Sequence, residues 1–106
     1  MLMQRNICHQ AIFFRKSVFK RIGNFNLKYP INADWEHNLK WFNSKKITKK
    51  YVELVVCHFG NLGISSTVKD QKFKTDKDKL ILKYCWRNMS IKEIFNQIKI
   101  ISYKYI

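Results

Sequence analysis

The chain is poor in the residues that build cross-linked or repetitive proteins. Its 106 residues include only three cysteines, three glycines and one proline. So little glycine and proline excludes collagen-like and other low-complexity chains. Cys8, Cys57 and Cys85 lie far apart and form no C-x-x-C pair. The cysteines therefore indicate neither a disulfide framework nor a zinc ribbon, and we expect buried, reduced thiols.

Long apolar runs are missing as well. No stretch approaches the roughly 18 consecutive apolar residues of a membrane span. The first six residues lack the apolar run of a signal peptide. We therefore expect a cytoplasmic protein, with peripheral attachment to the inner membrane face left open. A chain of 106 residues can bury one core and leaves little room for a second domain.

Acidic residues are scarce, and the charge is strongly of one sign. The chain has seven acidic and 21 basic residues, which gives a formal net charge of +14. Such a field favours polyanionic partners such as nucleic acid or acidic lipid. However, 17 of the basic residues are Lys and only four are Arg, and Arg is the side chain suited to bidentate recognition of phosphates and bases. The composition therefore predicts non-specific polyanion binding and no specific nucleic-acid partner.

Apolar periodicity predicts both strands and helices. Residues 11–14 form a short apolar run, and residues 51–57 are rich in β-branched side chains, so both are predicted strands. Periodicity and capping residues predict four helices, at residues 17–22, 34–45, 76–87 and from Ser90 onward. Ser17 is the predicted N-cap of the first helix and Gly23 its predicted end. In the second helix, the residues predicted to point inward are Trp35, Leu39 and Phe42. The fold class expected from this order is α/β.

Two strands are too few for a finished α/β domain. A two-stranded sheet is marginally stable by itself, so residues 1–106 are predicted to be a single partial domain with an exposed sheet edge open to self-association. About 90–106 is predicted to be a C-terminal amphipathic helix, opened by a capping box from Ser90 to Glu93. Lysines flank its apolar stripe, a pattern typical both of a helix on a membrane surface and of one packed on its own domain.

The carboxylates supply one candidate for chemistry. Asp76 and Asp78 have the D-x-D spacing of metal sites in sugar-nucleotide enzymes. On a helix, however, side chains two residues apart point about 200° apart, so the two cannot share one ion. Asp34 is the better candidate, because the N-terminus of a helix favours a carboxylate that can accept a proton from a sugar hydroxyl. A plain N-cap is the alternative.

The three histidines form no metal-binding or catalytic-triad spacing. They are His9, His37 and His58, and each is expected to be structural or exposed. His9 precedes Gln10 just before the first predicted strand, so this pair is a candidate for lining a cleft.

Three stretches carry motifs in a familiar order. Cys8-His9-Gln10 begins a C-H-Q-x-x-F segment, Ala33 to Glu36 reads A-D-W-E, and a late turn ends in Gly63-Ile64-Ser65. Together they resemble the C-terminal half of bacterial family 2 glycosyltransferases with the GT-A fold. The resemblance covers roughly residues 5–90. It departs from the family at Leu62, where the family's late turn has a second glycine.

The resemblance implies a reaction in polysaccharide or glycan synthesis. Such enzymes transfer a sugar from a nucleotide-sugar donor to a hydroxyl acceptor, usually with inversion. The aspartate of the A-D-[YW]-[DE] segment is the position of the catalytic base, which here is Asp34. The resemblance also implies that His9 and Gln10 line the sugar and acceptor end of the cleft, and Trp35 is counted with them. We expect Asp34 to face a concavity on which His9 and Gln10 open.

The sequence contains no counterpart of the family's nucleotide-binding half, which carries the metal-binding D-x-D. We therefore expect no cofactor and no metal ligands in this chain, a divalent cation (Mg²⁺ or Mn²⁺) only in a full-length enzyme, and no activity from the chain alone. Two alternatives remain open. One is a basic, non-catalytic module that binds nucleic acid or an acidic surface, and the other is a partner-dependent interaction domain.

The charge leads to a first prediction. The chain should bind DNA and RNA weakly, with no sequence preference, because lysines would contact only phosphates. Fluorescence anisotropy with several unrelated oligonucleotides at rising salt would measure this. A hundredfold preference for one sequence, or an affinity that survives half-molar salt, would instead favour the nucleic-acid module.

Overall fold

The computed structural model describes residues 5–7, 9–55 and 70–104. In these ranges the chain forms four α-helices, two short 3₁₀ segments and no β-strand. The helices are α1 (Lys16–Ile22), α2 (Ala33–Phe42), α3 (Gln71–Cys85) and α4 (Ile91–Lys104), and the 3₁₀ segments are His9–Ala11 and Trp86–Asn88.

The predicted α/β class, a fragment of a GT-A fold, is wrong for the part of the chain that the structure describes. Residues 11–14, the first predicted strand, are the end of a 3₁₀ segment followed by irregular chain. This run anchors one aromatic ring instead of pairing with a neighbour. The ring of Phe14 packs edge-on against Phe19, His37 and Trp41, with centroids 5.4, 5.7 and 5.5 Å away.

The second predicted strand, residues 51–57, does not form in residues 51–55, the part of it that the structure describes. Residues 51–55 have no regular structure and are exposed, with Tyr51 at 87% and Val55 at 75%. β-branched residues favour a strand because they fit a pleated, half-buried surface. No other strand in the described ranges supplies such a surface. Residues 56 and 57, and the late turn at 60–66, lie outside the described residues.

The helix ends follow local chemistry, with shifts from the predicted bounds. Gly23 ends α1 as predicted, with a φ of 97° that side chains larger than glycine rarely adopt. The start of α1 differs from the prediction, because Arg15 and not Ser17 is the N-cap. α2 begins at Ala33 with Asn32 as N-cap, so Asp34 lies in the first turn and is not the cap.

α3 begins five residues before the predicted start because Asp70 caps it. Asp70 Oδ1 accepts a hydrogen bond from the Phe73 backbone N–H at 3.2 Å, and Oδ2 accepts one from the Ile31 N–H at 3.3 Å. One buried carboxylate therefore starts α3 and ties it to the segment that precedes α2. The capping box that opens α4 is confirmed, since Ser90 and Glu93 exchange two hydrogen bonds of 3.2 Å.

The core lies between α2 and α3. Leu39 of α2 is completely buried, and it clusters with side chains from α3 and from the loop before α2: Tyr29, Phe73, Leu80, Ile81 and Cys85. α2 also contacts α1, and α3 contacts α4. The inward position predicted for Phe42 is wrong, because its ring is 45% exposed while Trp41 is buried.

Cys85 is a buried free thiol, as expected. Burial raises the pKa of this thiol. The hydrogen bond that the thiol sulfur accepts from Asn43 Nδ2 at 3.2 Å lowers the pKa, but by less. Cys8 and Cys57 lie outside the described residues. Among the helices described, none is both long enough and apolar enough to cross a membrane.

The double role of Asp70 leads to a prediction. Asp70→Ala should lower the free energy of unfolding by about 1–2 kcal/mol, because two backbone N–H groups lose their acceptor. Thermal and urea unfolding followed by circular dichroism would measure it. Ser90→Ala is the matched control, since it removes an exposed cap that holds α4 alone, and it should cost less. Equal losses for the two variants would contradict the bridging role.

Candidate functional site

Asp34 is held in a defined orientation at the start of α2. Its Oδ2 accepts a hydrogen bond of 2.9 Å from the Asn6 side-chain amide, and its Oδ1 accepts one of 2.8 Å from the Trp35 backbone N–H. The carboxylate is half-buried and lies in the first helical turn. There the helix dipole stabilises its negative charge.

The bond from Asn6 belongs to a longer polar chain along α2. Asn38 Nδ2 donates to Asn6 Oδ1 at 2.9 Å and lies 3.4 Å from the Ile7 carbonyl oxygen. Asn38 Oδ1 in turn accepts from the Trp41 indole N–H at 2.8 Å. Asp34, Asn38 and Trp41 follow the spacing i, i+4, i+7, so they share one face of the helix. Residues 5–7 are thereby fixed against that face.

His9 and Gln10 follow this fixed segment. They begin the 3₁₀ segment His9–Ala11, and Gln10 is exposed. His9 lies three residues after Asn6, so their Cα atoms are at most about 11 Å apart. The His9 segment is therefore near the face of α2 that carries Asp34. A cleft shared by His9, Gln10 and Asp34 stays a prediction.

Trp35 contacts a different neighbour from Asp34. Its ring packs on Phe73 of α3 with centroids 5.3 Å apart, and the Lys77 ammonium lies 4.2 Å from the ring centroid. A cation over an indole face is an attractive contact. These contacts place Trp35 between α2 and α3, whereas Asp34 contacts residue 6. The predicted role of Trp35 in lining a substrate site is not tested by them.

The two aspartates of the D-x-D motif point to different partners. Asp76 accepts a hydrogen bond from the Tyr29 hydroxyl at 2.9 Å and pairs with Lys72 at 3.4 Å, whereas Asp78 accepts one from Gln97 at 3.0 Å. Burial would raise the pKa of Asp76, but Tyr29 and the neighbouring lysines outweigh it and lower that pKa. No group of three potential metal ligands occurs in the described part of the chain.

Glu36, the last residue of the A-D-W-E motif, is a buried acid to which the sequence analysis assigned no role. It is 1% exposed, and its Oε1 contacts the Lys40 ammonium at 2.9 Å and the Tyr84 hydroxyl at 3.4 Å. Its Oε2 has no hydrogen-bond partner among the described residues. Burial, together with the Glu36 charge, raises the pKa of Tyr84 to about 12. The spacing i, i+4 to Lys40 is the same on an exposed and on a buried helix face, so the sequence carries no signal of this burial.

His37 is structural. Its ring is completely buried and stacks on Phe19 at 5.2 Å, with Phe25 at 4.8 Å. Nε2 lies 3.0 Å from the Gly23 carbonyl oxygen. A carbonyl only accepts, so Nε2 carries the hydrogen. Burial lowers the pKa of His37, which favours the neutral ring.

The comparisons with known proteins point to one enzyme class. Part of the chain is similar to a glycosyltransferase. Over 74 residues it is 40% identical to the "PGL/p-HBAD biosynthesis glycosyltransferase" of Mycobacterium bovis (strain BCG / Pasteur 1173P2) and to the protein of the same name from Mycobacterium tuberculosis (strain ATCC 25177 / H37Ra). The match covers 69% of this chain and 29% of each relative.

The chain thus spans less than a third of the length of these curated relatives. No family model matches it, and no solved structure does. The predicted relationship to a glycosyltransferase is confirmed at this coarser level. Membership of family 2 stays a prediction.

The contact between buried Glu36 and half-buried Tyr84 leads to a prediction about alkaline pH. An unfolded tyrosine ionises near pH 10, whereas folded Tyr84 keeps its proton until about pH 12. The folded state therefore binds more protons in this window, and stability falls as pH rises through it. Tyr84→Phe should show a shallower loss of melting temperature than the wild type from pH 10 upward.

Tyr103→Phe is the matched control, because Tyr103 is 73% exposed. It should leave the slope unchanged. If Tyr84→Phe and the wild type lose melting temperature in parallel, neither burial nor the charge of Glu36 holds the Tyr84 proton.

Proposed function

We propose that this chain is the acceptor-side part of a bacterial family 2 glycosyltransferase, an enzyme that transfers a sugar from a nucleotide-sugar to a hydroxyl acceptor in polysaccharide or glycan synthesis. The observation that carries the proposal is the 40% identity over 74 residues to a mycobacterial glycosyltransferase. The motif order of the sequence and the fixed geometry of Asp34 support it.

In this proposal Asp34 is the general base. Its carboxylate accepts the proton of the acceptor hydroxyl while that oxygen forms a bond to the anomeric carbon of the donor sugar. The bond between that carbon and the nucleotide diphosphate breaks with inversion, and the nucleotide leaves with the bonding electron pair. A base must be held within hydrogen-bond reach of the proton that it takes, and the Asn6 amide restricts the rotation of Asp34.

His9, Gln10 and Trp35 are proposed to line the site. The chain position of His9, close to Asn6, supports this for the first two. The nucleotide-sugar donor and the glycan acceptor are partners proposed for the longer enzyme. Since the described residues offer no cluster of three metal ligands, we assign no step to an ion held by them.

A chimaera tests the proposed role directly. The matched 74-residue stretch would replace its counterpart in the M. tuberculosis relative, and sugar transfer would be measured with that enzyme's own substrates. We expect the chimaera to be active, and Asp34→Asn to lower kcat by about 10²–10⁴-fold, the usual contribution of a general base.

Glu53→Gln serves as the isosteric control, because Glu53 is exposed and lies outside the A-D-W-E motif. It should leave kcat nearly unchanged. A correctly folded chimaera without activity, or one in which Asp34→Asn keeps full kcat, would contradict the proposal.

The chain by itself should not turn over nucleotide-sugars. It spans only 29% of the relative, and Asp34 would have no bound donor on which to act. Purified chain would be incubated with nucleotide-sugars and Mg²⁺ or Mn²⁺, and nucleotide release followed by chromatography. Metal-dependent release that disappears in Asp34→Asn would show that the chain alone is an enzyme.

A further inference from the structure

The last helix has one side on the protein and an apolar side in solvent. Ile94, Gln97 and Ile101 are its half-buried residues, and the Gln97 amide donates to the Asp78 carbonyl and carboxylate of α3 at 3.1 and 3.0 Å. No residue from 91 to 103 is fully buried. α4 therefore uses a single polar and aliphatic strip to hold its neighbour.

The exposed side of α4 is apolar with a basic border. Ile91, Phe95 and Ile98 are 74%, 67% and 47% exposed, and at 3.6 residues per turn they fall within an arc of roughly 60°. Lys92 and Lys99 follow at one edge of that arc and are exposed as well. We call these five residues the α4 outer face.

We propose that the α4 outer face binds the surface of a membrane that contains anionic phospholipid. This inference does not depend on the proposed glycosyltransferase function. A helix that lies in the membrane interface buries an apolar strip among the acyl chains while its lysines reach the headgroups. α4 has 14 residues and is not a spanning helix, so it would lie parallel to the surface.

The charge of the chain favours lipid over a second copy as the occupant. Each copy carries a formal net charge of +14, so two copies meeting at a lysine-bordered face repel each other. An anionic bilayer offers apolar acyl chains next to negative phosphates, which matches Ile91, Phe95 and Ile98 beside Lys92 and Lys99. Tyr103, 73% exposed, adds a ring with a polar tip, which suits the headgroup region.

Vesicle sedimentation tests this proposal with the whole chain. Wild-type chain should pellet with vesicles of equal parts phosphatidylglycerol and phosphatidylcholine and stay in solution with phosphatidylcholine alone. The charge variant, Lys92→Gln with Lys99→Gln, should bind the mixed vesicles about thirtyfold more weakly, at about fivefold for each lysine near an anionic surface.

Lys16→Gln with Lys20→Gln is the matched control. It removes the same charge from exposed positions on α1, a helix that packs on α2. In the proposal the lysines that reach the headgroups are those beside the apolar strip of α4, so this control should bind nearly as well as the wild type. Equal losses for the two charge variants would overturn the proposal, because they would mean attraction by net charge alone.

The apolar variant separates insertion from simple attraction of a basic protein. Phe95→Ser with Ile98→Ser keeps every charge and should weaken binding at least about tenfold, through lost apolar burial. Phe95→Ser alone is a milder second variant, and circular dichroism would verify that both keep their helices.

Several results would overturn the proposal. One is a serine variant that pellets with the mixed vesicles as well as the wild type does. The others are wild-type chain that does not pellet with the mixed vesicles, and wild-type chain that pellets equally with the neutral vesicles. Size-exclusion chromatography supplies the last outcome. A wild-type dimer that the serine variants dissociate would show that a second copy covers the α4 outer face.

Discussion

The arrangement around Asp34 depends on the hydrogen bonds of the Asn38 side-chain amide. Asn38 is 2% exposed, donates to Asn6 and accepts from the Trp41 indole. A buried amide that lost one of these partners would leave polar groups unsatisfied, which costs more than a typical hydrogen bond contributes. Asn6 can hold the Asp34 carboxylate because Asn38 holds Asn6. Stability and the candidate site therefore share the same bonds.

α2 is unusual because three consecutive polar residues are buried in it. Glu36, His37 and Asn38 are all at most 2% exposed. Successive residues of a helix point about 100° apart, so each one reaches a different neighbour. Glu36 faces Tyr84 of α3, His37 enters the aromatic rings around α1, and Asn38 faces residues 5–7. Together these contacts surround α2 and position its first turn.

Local signals in the sequence predicted some helix ends and not others, since the predicted N-caps Ser17 and Asp34 were replaced by Arg15 and Asn32. Glycine after α1 and the serine–glutamate box before α4 act within one helical turn, and both were found from spacing. Asp70 shows where such reasoning fails, since its second partner, Ile31, is 39 residues away. Residues 51–55 show it again, because the preference of β-branched residues for strands has no effect without a neighbouring strand.

The candidate site was predictable to a similar extent. The motif A-D-W-E indicated Asp34 and its place at a helix start. Asn6 and Asn38 could not be predicted, because an asparagine pair separated by 32 residues has no periodic spacing. The burial of Glu36 could not be predicted, because its spacing of i, i+4 to Lys40 is the same whether the pair is exposed or buried.

The thin attachment of α4 has a consequence for the order in which the chain opens. With half-buried contacts only, this helix should lift from α3 at a lower free energy than that of global unfolding. Its amide protons would then exchange with deuterium sooner than those of α2. Once detached, Ile94 and Ile101 would widen the apolar strip of the helix, so a surface that captured α4 would compete directly with α3 for these side chains.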